Sequence, residues 1–486
     1  MRRGTSVASL VLILALAAAA WGQAPETPGT SAAPKAPDVA VGVLTLLDCV
    51  EEALVASPEI GASRAALRAA RSDRKVVNAG QLPPFTFTYS EIFQPENTRN
   101  IGGGTMVVSN SNFRTFEVNT TFGLFSGGLL TANRRIAALG EAAAGQRLQS
   151  TVNGVIGGTV QAYLQLLRAQ ELKAVSDRTV DLAREQLKIA TVSFEAGAVP
   201  KVNVLRAQAA VQNALQGQVS AGNGIELARA ALLAAMGRRQ GSTVAIAALP
   251  RRLADPPDLL DSLQRAVAQR PELRAQQSVI NINHQAVKLA QSAWWPQIGA
   301  TAKYNHTQNA GAFSKEDNWQ VMMLLQLNVW DWGKTAARVN SSRAQLDAER
   351  NKLERAMRDI ELEVRRALLS IAEARQRVEA AGAEVQAAGE ARKIEEVRYS
   401  VGEGIYLEML DARRALSAAE ANLVNAYYDN ALAEAAWLTA TGSYVAGHQL
   451  RLPGASEPRP VPAGTDRRGR ELGDLQAEYG KPGDKQ

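Results

Sequence analysis

The sequence predicts a mainly α-helical fold with a membrane β component, built from an internally duplicated chain. Three observations lead to this prediction. The chain repeats its own landmarks at a nearly fixed offset, and each copy contains one very long helical stretch without proline. Each copy also contains a pair of alternating segments whose length and polarity suit a membrane.

The N-terminus has the features of a secretory signal peptide. A basic start precedes an apolar stretch at 7–20, and small residues surround a predicted cleavage site after Gly22. The apolar stretch is shorter than the about 20 residues that a transmembrane helix needs. We therefore predict a signal peptide at 1–22. The following segment, 23–43, is rich in Pro, Ala, Thr and Ser, and we expect it to be disordered.

Charge and cysteine usage exclude several classes of protein. The chain has 54 basic and 48 acidic residues, and loss of the two leader arginines lowers its net charge from +6 to +4. So mild an excess does not indicate a nucleic-acid partner. Cys49 is the single cysteine, so an intrachain disulfide is excluded, and it lies too far from the cleavage site to carry a lipid anchor. Beyond the leader no segment is apolar enough for a transmembrane helix, so membrane insertion would have to use β-structure.

The duplication is visible in the spacing of prolines and glycines. Pro58 recurs as Pro271, an offset of 213, whereas Gly197 recurs as Gly402, an offset of 205. The difference, 213 − 205 = 8, places about eight extra residues in the first copy, in a loop near 97–111. The predicted divisions are a first repeat at 44–240, a linker at 241–257, a second repeat at 258–445 and a Pro/Gly-rich tail at 446–486.

Each copy is expected to hold the same elements in order: a helix, two strands, a long helix, a hairpin turn and a further helix. The long helix of the first copy has about 66 residues and would extend roughly 100 Å. The two shorter helical segments of each copy total 35 + 37 = 72 residues, enough to lie end to end beside the long one. These segments are 45–79, 200–236, 258–292 and 405–441. Helices of this length are typical of coiled coils or helix-walled tubes.

The four predicted strands have the length that a tilted membrane strand requires. Each alternates apolar residues with Asn, Gln, Thr or Glu, as expected for lipid on one face and water on the other. Four tryptophans flank the second pair and would lie at the same end of it, where an interfacial aromatic girdle belongs. They are Trp294, Trp295, Trp330 and Trp332. A soluble sandwich would also explain the alternation, but it would not explain the long helices.

Four strands cannot close a barrel, because the bacterial minimum is about eight. An open sheet edge is not tolerated in lipid. The chain is therefore expected to oligomerise, and three copies would supply twelve strands. Composition and spacing alone do not choose three copies over two or four.

Two turn motifs give the most specific resemblance to a known family. The segment Tyr399-Ser400-Val401-Gly402, followed by the acidic helix start at 407–412, resembles the Y-S-V-G…D-V-L-D-A stretch of the TolC outer-membrane efflux family. The first copy carries a weaker version at 194–207, and the resemblance covers about 44–442.

The resemblance implies a homotrimer with a twelve-strand β-barrel in the outer membrane, continuous with a long α-helical barrel in the periplasm. The linker would lie at the equator of the helical barrel, and the tail would be periplasmic. Outer-membrane lipid, a periplasmic adaptor and an inner-membrane pump are the implied partners. The implied function is passive exit of small molecules across the periplasm and outer membrane.

The resemblance also implies a gate near the second turn, formed by Glu408, Asp411 and Tyr399. The two carboxylates are three residues apart on one helix and share a face, so a trimer would present six of them. Their alternative role is to complement the helix dipole. Gly404 stands where the family usually has a basic residue, so the contacts that hold Tyr399 are expected to differ.

The two turns are the expected contact sites of the adaptor, although they also simply reverse the chain. The residues concerned are Gly197, Ala198, Val199, Gly402, Glu403 and Gly404. No cofactor, metal or catalytic residue is predicted, because the three histidines lack ligand spacing. The sequence Gly333-Lys334-Thr335 is interpreted as a helix start rather than a phosphate loop. A duct for type I protein secretion and a periplasmic coiled-coil scaffold are the alternative functions.

Overall fold

The structure is a computed structural model that describes residues 43–101, 103–109, 112–253, 255–309, 315–446, 449–450 and 459–460. The predicted signal peptide, residues 23–42 and most of the tail lie outside the described residues. The described residues all belong to the compact unit that begins at Val43.

Eight helices and a set of strands make up the described chain. The helices are α1 (Leu46–Ala56), α2 (Pro58–Ala79), α3 (Leu129–Glu195), α4 (Lys201–Ala235), α5 (Leu259–Gln269), α6 (Pro271–Gln291), α7 (Lys334–Ser400) and α8 (Tyr406–Thr441), with a 3-10 turn at Ser292–Trp294. The strands are β1 (Val43–Leu44), β2 (Phe85–Phe93), β3 (Asn97–Ile101), β4 (Gly104–Ser109), β5 (Asn112–Phe125), β6 (Ala245–Ile246), β7 (Gln297–Gln308) and β8 (Asp317–Gln326), followed by β9 (Val445–Ala446), β10 (Gln449–Leu450) and β11 (Arg459–Pro460).

The long helices have the predicted length. Helices α3 and α7 each contain 67 residues, which corresponds to about 100 Å. Each is preceded by a glycine with positive φ, +90° at Gly128 and +81° at Gly333, which suits the sharp strand-to-helix turn. The start of α7 at Lys334 also confirms that the Gly-Lys-Thr sequence opens a helix.

The short helices before the strands differ from the prediction. Segments 45–79 and 258–292 were expected to be continuous, but each is broken into two helices, at Ser57 and at Arg270. Both residues precede a proline and have extended ψ values of 123° and 118°. A proline ring disfavours the helical conformation of the residue before it, so each helix stops there and a new one starts at Pro58 or Pro271.

Helix packing follows the predicted arrangement of one long helix beside two shorter ones. Helix α3 packs against α2 near the strands and against α4 beyond, and α7 packs in the same way against α6 and α8. Helix α3 also contacts α6 and α8. The lateral order is therefore α2/α4, α3, α6/α8, α7, with α2/α4 at one side of the protomer and α7 at the other.

The strands form an antiparallel sheet in the order β2-β5-β7-β8. Cross-strand pairing joins Phe87, Val118, Tyr304 and Trp319 in one row, which lies on the apolar face. The extra residues of the first copy extend the loop between β2 and β5 and form the small β3–β4 hairpin. Strands β2 and β8 are the two outer strands of this sheet within the protomer.

The main apolar core lies at the middle of the helical part. Tyr163 is fully buried there, and its hydroxyl donates to the Leu44 carbonyl (3.3 Å) and the Ala247 carbonyl (2.6 Å). These carbonyls flank the parallel pair β1–β6, so Tyr163 connects the start of the first repeat with the linker. Among the described helices, none is long and apolar enough to cross a membrane.

Candidate functional site

The first turn reverses the chain between α3 and α4. Gly197 adopts a φ of +76°, and the Ala198 amide donates to the Ser193 carbonyl at 2.9 Å. This pattern closes the C-terminus of α3 and favours glycine at the left-handed position. Gly197 and Ala198 are exposed, and Val199 is half-buried before Pro200 leads into α4. The predicted adaptor-contacting residues of the first copy therefore form an exposed tip.

The second turn, between α7 and α8, is tighter. Gly402 has a φ of +82°, and the amides of Glu403 and Gly404 both donate to the Arg398 carbonyl at 2.9 Å. A Cβ on Gly404 would lie 2.9 Å from the Tyr399 nitrogen and 3.1 Å from the Arg398 carbonyl carbon. A side chain at position 404 would therefore overlap the end of α7 unless that end moved.

Tyr399 lies against an apolar cluster beside the turn. Its ring meets the buried Tyr406 ring edge-on, with centroids 5.9 Å apart and an interplanar angle of 63°. Met409 and Leu410 complete this cluster together with small residues of α3 and α4. Burial raises the pKa of the Tyr406 phenol. Sequence reasoning missed Tyr406, although it stands on the same helix as the predicted gate.

The two predicted gate carboxylates are exposed, and each has an arginine neighbour. Glu408 Oε2 lies 3.8 Å from Arg398 Nη1, and Asp411 Oδ1 lies 3.4 Å from Arg414 Nη1. The side chains of Glu408 and Asp411 are 48% and 61% exposed, so these pairs contribute little to stability. The two arginines do, however, offset part of the negative charge of the Glu408 and Asp411 carboxylates.

Arg413 is a further residue that the sequence did not single out. Its Nε donates to Glu396 Oε1 at 2.9 Å, and its Nη1 donates to Gln186 Oε1 at 2.9 Å. Gln186 is on α3 and Glu396 on α7, so this one side chain of α8 links three helices close to the tip. Only the three-dimensional packing reveals the role, because the sequence shows Arg413 as one of two adjacent arginines.

The four predicted interfacial tryptophans lie at one end of the sheet and are all exposed. Gln297 pairs with Gln326, so the start of β7, next to Trp294 and Trp295, meets the end of β8. The remaining pair, Trp330 and Trp332, follows β8 with ring centroids 5.8 Å apart.

The polar face of the sheet carries an ion pair that sequence reasoning missed. Lys303 Nζ lies 2.7 Å from Glu117 Oε2, and Asn119 donates to Glu117 at 3.0 Å. Thr121 and Thr301 face each other on the same side, with hydroxyl oxygens 3.4 Å apart. The alternation of the strands predicted a polar face, but the pairing of Glu117 with Lys303 depends on the register.

Within the described residues, no group of three or more His, Cys, Asp or Glu side chains is arranged to hold a metal ion. Cys49 is fully buried, and desolvation, with smaller effects of the Glu52 and Asp48 carboxylates, raises its pKa to about 12. Its thiol is therefore a packing group.

Comparison with known proteins agrees with this architecture. The model of the outer membrane efflux protein family matches residues 49–238 and 262–443. The Campylobacter jejuni CmeC outer membrane channel superposes with a TM-score of 0.70 at 19% identity, over 82% of this chain and 85% of that one. The Vibrio cholerae outer membrane protein VceC gives 0.72 at 18% identity, over 82% and 96%.

A curated relative aligns with a smaller part of the chain. Protein CyaE of Bordetella pertussis is 24% identical over 309 residues, an alignment that spans 62% of this chain and 64% of CyaE. The family model covers both repeats and most of the described helices and strands. The chain therefore belongs to the outer membrane efflux protein family.

Proposed function

We propose that three copies of this chain form the exit duct of a tripartite efflux system. In this assembly, small molecules pass passively through a helical barrel and a twelve-strand β-barrel while an adaptor and an inner-membrane pump are docked. The observation that carries the proposal is that the sheet and the helical layer of one protomer each have two open sides among the described residues.

The sheet supports oligomerisation directly. Strands β2 and β8 each have one side without a partner strand among the described residues, and an unpaired edge is costly in lipid. Pairing β8 of one copy with β2 of the next would remove both edges. Three copies of the four strands give twelve, which exceeds the minimum for closure.

The helical part supports the same assembly. Exposed apolar side chains lie on α7 at Leu362 and Leu369, and on the opposite side of the protomer at Val219 and Leu227 of α4. Because α7 and α2/α4 are the two lateral sides, neighbouring copies would bring these surfaces together and bury them. The predicted transport path is the axis enclosed by the resulting ring.

The predicted gate remains part of this proposal. Glu408 and Asp411 share one face of α8 near the tip, and three copies would place six carboxylates and their arginine neighbours around the axis. Arg398 and Arg414 partly neutralise this ring, so we expect moderate rather than strong cation selectivity. Tyr399 acts through packing, since it holds the turn against Tyr406.

The tips and the tryptophans complete the proposal. The exposed turns at Gly197–Val199 and Gly402–Gly404 would contact the adaptor, and replacing them with Gly/Ser should abolish adaptor cross-linking. The tryptophans at the helix end of the sheet would lie at the membrane–water interface. A duct for secreted proteins would use the same geometry, and the pump that co-purifies with the channel would distinguish the two.

Single-channel recording in planar bilayers tests the duct and its gate together. The double variant Glu408→Gln/Asp411→Asn should show a larger conductance or weaker cation selectivity than the wild type. The matched control is Glu226→Gln, which removes an exposed carboxylate that also pairs with an arginine three residues away, on α4. Equal conductance and selectivity in the double variant and the control would rule out the gate. A soluble monomer without conductance would rule out the duct.

A further inference from the structure

A charged cleft lies between α3, α7 and α8, well away from the tip. It has a volume of about 450 Å³, within the range of small-molecule sites, and the small side chains of Ala380 and Ala381 leave it open. Its polar lining comes from Arg168, Arg377, Glu384, Asn422, Asn425 and Asp429. The gate and the adaptor contacts use none of these residues.

Asp429 organises one end of the cleft. Its Oδ1 accepts from Arg168 Nη1 of α3 at 3.1 Å, and its Oδ2 accepts from Arg377 Nη1 of α7 at 2.9 Å. Arg168 Nε also donates to Asn425 at 2.8 Å, and Arg377 pairs with Glu373. A guanidinium carries five N–H donors, so each arginine has N–H groups beyond those that donate to Asp429, Asn425 and Glu373, and these can donate to a further carboxylate.

The other end of the cleft is acidic. Both oxygens of Glu384 lie 3.5 Å from Asn422 Nδ2. Asn422 precedes Asp429 by seven residues on α8, so the two ends are about 10 Å apart along the helix. The cleft therefore offers guanidinium groups paired with Asp429 at one end and the Glu384 carboxylate at the other, at a fixed separation.

Helical register places this cleft on the face of α8 that carries the gate. Asp429 follows Asp411 by 18 residues, which is five turns of an α-helix, and lies about 27 Å from it. Whatever surface Asp411 faces, Asp429 faces as well. On α7, Glu384 follows Arg377 by seven residues, close to two turns, and shares its face in the same way.

The opposite faces of α7 and α8 are covered by the linker. Arg251 of the linker stacks over the Tyr427 ring at 4.9 Å and pairs with Glu171 of α3. Asp255 pairs with Arg375 of α7. Since Arg375 and Arg377 are about 200° apart around their helix, the linker lies on one side of the helical layer and the cleft opens on the other.

From this geometry we infer that the cleft is a permeant-binding site inside the duct, which takes small zwitterionic molecules. An anionic group binds at Arg168 and Arg377, and a cationic group about 10 Å away binds at Glu384. The inference rests on the proposed duct, because it requires that the face shared by Asp411 and Asp429 lines the channel. Only weak, reversible binding suits such a site, because a permeant has to leave again.

Cysteine labelling in intact cells tests the position of the cleft. Asn422→Cys should react with a membrane-impermeant thiol reagent added outside, through the open mouth of the barrel. Glu420→Cys is the matched control: it is two residues away, on the opposite side of α8, and pairs with Arg178. It should react only after the outer membrane is permeabilised. The native Cys49 is buried and gives no background.

Protection from labelling tests the ligand class. Triglycine has charged ends about 10 Å apart when extended, and N-acetyl-triglycine and triglycine amide each lack one charge. Triglycine should slow the labelling of Asn422→Cys several-fold more than either analogue, and Arg168→Gln or Glu384→Gln should remove the difference. Equal labelling rates with all three peptides would overturn the binding site but leave the duct intact. If neither cysteine reacts from outside and both react after permeabilisation, the duct itself is wrong.

Discussion

Replacing Gly404 with alanine should destabilise the second turn without affecting the rest of α7. The new Cβ would lie 2.9 Å from the Tyr399 nitrogen, whereas ordinary contacts begin at 3.4 Å, so about 0.5 Å of overlap must be relieved. Its closest neighbours are mostly backbone atoms, which cannot rotate away. Overlap of this kind typically costs about 1–3 kcal/mol.

The strain should weaken the two hydrogen bonds that define the turn. The amides of Glu403 and Gly404 share the Arg398 carbonyl, and any shift of Gly404 away from α7 lengthens both bonds. A cost of about 1–3 kcal/mol corresponds to a loss of protection of about 5- to 150-fold. Hydrogen exchange measured by mass spectrometry on a peptide that contains this turn reports this change directly.

Gly389→Ala provides the matched control for this experiment. Gly389 lies in the interior of α7, and a Cβ there would meet nothing within 4 Å, so alanine should leave exchange unchanged or slow it. Equal exchange of the turn in Gly404→Ala and Gly389→Ala would refute the steric explanation. Gly404→Arg should behave like Gly404→Ala, because the conflict arises at Cβ and not at the charged group.

Further predictions concern the sheet end and the core. Gly127→Ala would place a Cβ 2.5 Å from the Trp295 Cβ, so the proposed trimer should dissociate at a lower temperature, as measured by heat-modifiable migration on a gel. Gly123→Ala is the control, because its Cβ would meet only one atom, at 3.9 Å. Tyr163→Phe removes the donor to the Ala247 carbonyl, whereas the Leu44 carbonyl still accepts from the Ala247 amide, and should lower the free energy of unfolding by about 1 kcal/mol; an unchanged melting temperature would contradict this role. Cys49, with a pKa of about 12, should resist alkylation at pH 8 in the folded protein and react only after denaturation. Rapid alkylation of folded protein would show that the core opens.

The elements that the sequence predicted correctly depend on local signals. The long helices follow from proline-free stretches of apolar periodicity, and the strand pairs follow from alternation bounded by turn residues. Glycines such as Gly197 and Gly402 mark the turns because their positive φ angles favour this residue. The breaks at Ser57 and Arg270 also had a local signal, the following proline, but the surrounding helical period concealed it.

The site was less predictable because its contacts join distant segments. Glu408 was identified from the turn motif, yet its arginine neighbour, Arg398, comes from the preceding helix. The links of Arg413 and Asp429 cross between three helices and require the lateral order of the helices. A periodic pattern indicates which face a residue occupies, but not which side chain of another helix lies opposite.

The two repeats contain the same main elements in the same order, but different side chains hold these elements together. Gly237 and Gly442 occupy equivalent places, and each packs against the helix break of its own repeat. In the first repeat the neighbour is the Ala56 carbonyl. In the second it is Arg270, whose guanidinium also donates to the Ala440 carbonyl at 2.7 Å and pairs with Glu363.

The same asymmetry recurs at the tips. Arg413 ties α8 to α3 and α7, whereas the equivalent position of the first copy, 413 − 205 = 208, is the uncharged Gln208. Near the helix break both repeats carry an ion pair, Arg238–Glu52 in the first and Arg270–Glu363 in the second, so this difference in charge is confined to the tip, where Arg413 pairs with Glu396. Under the proposed function, an opening that moves α7 and α8 together away from α3 would break the hydrogen bond from Arg413 to Gln186, whereas the Arg413–Glu396 pair joins α8 to α7 and would move with them.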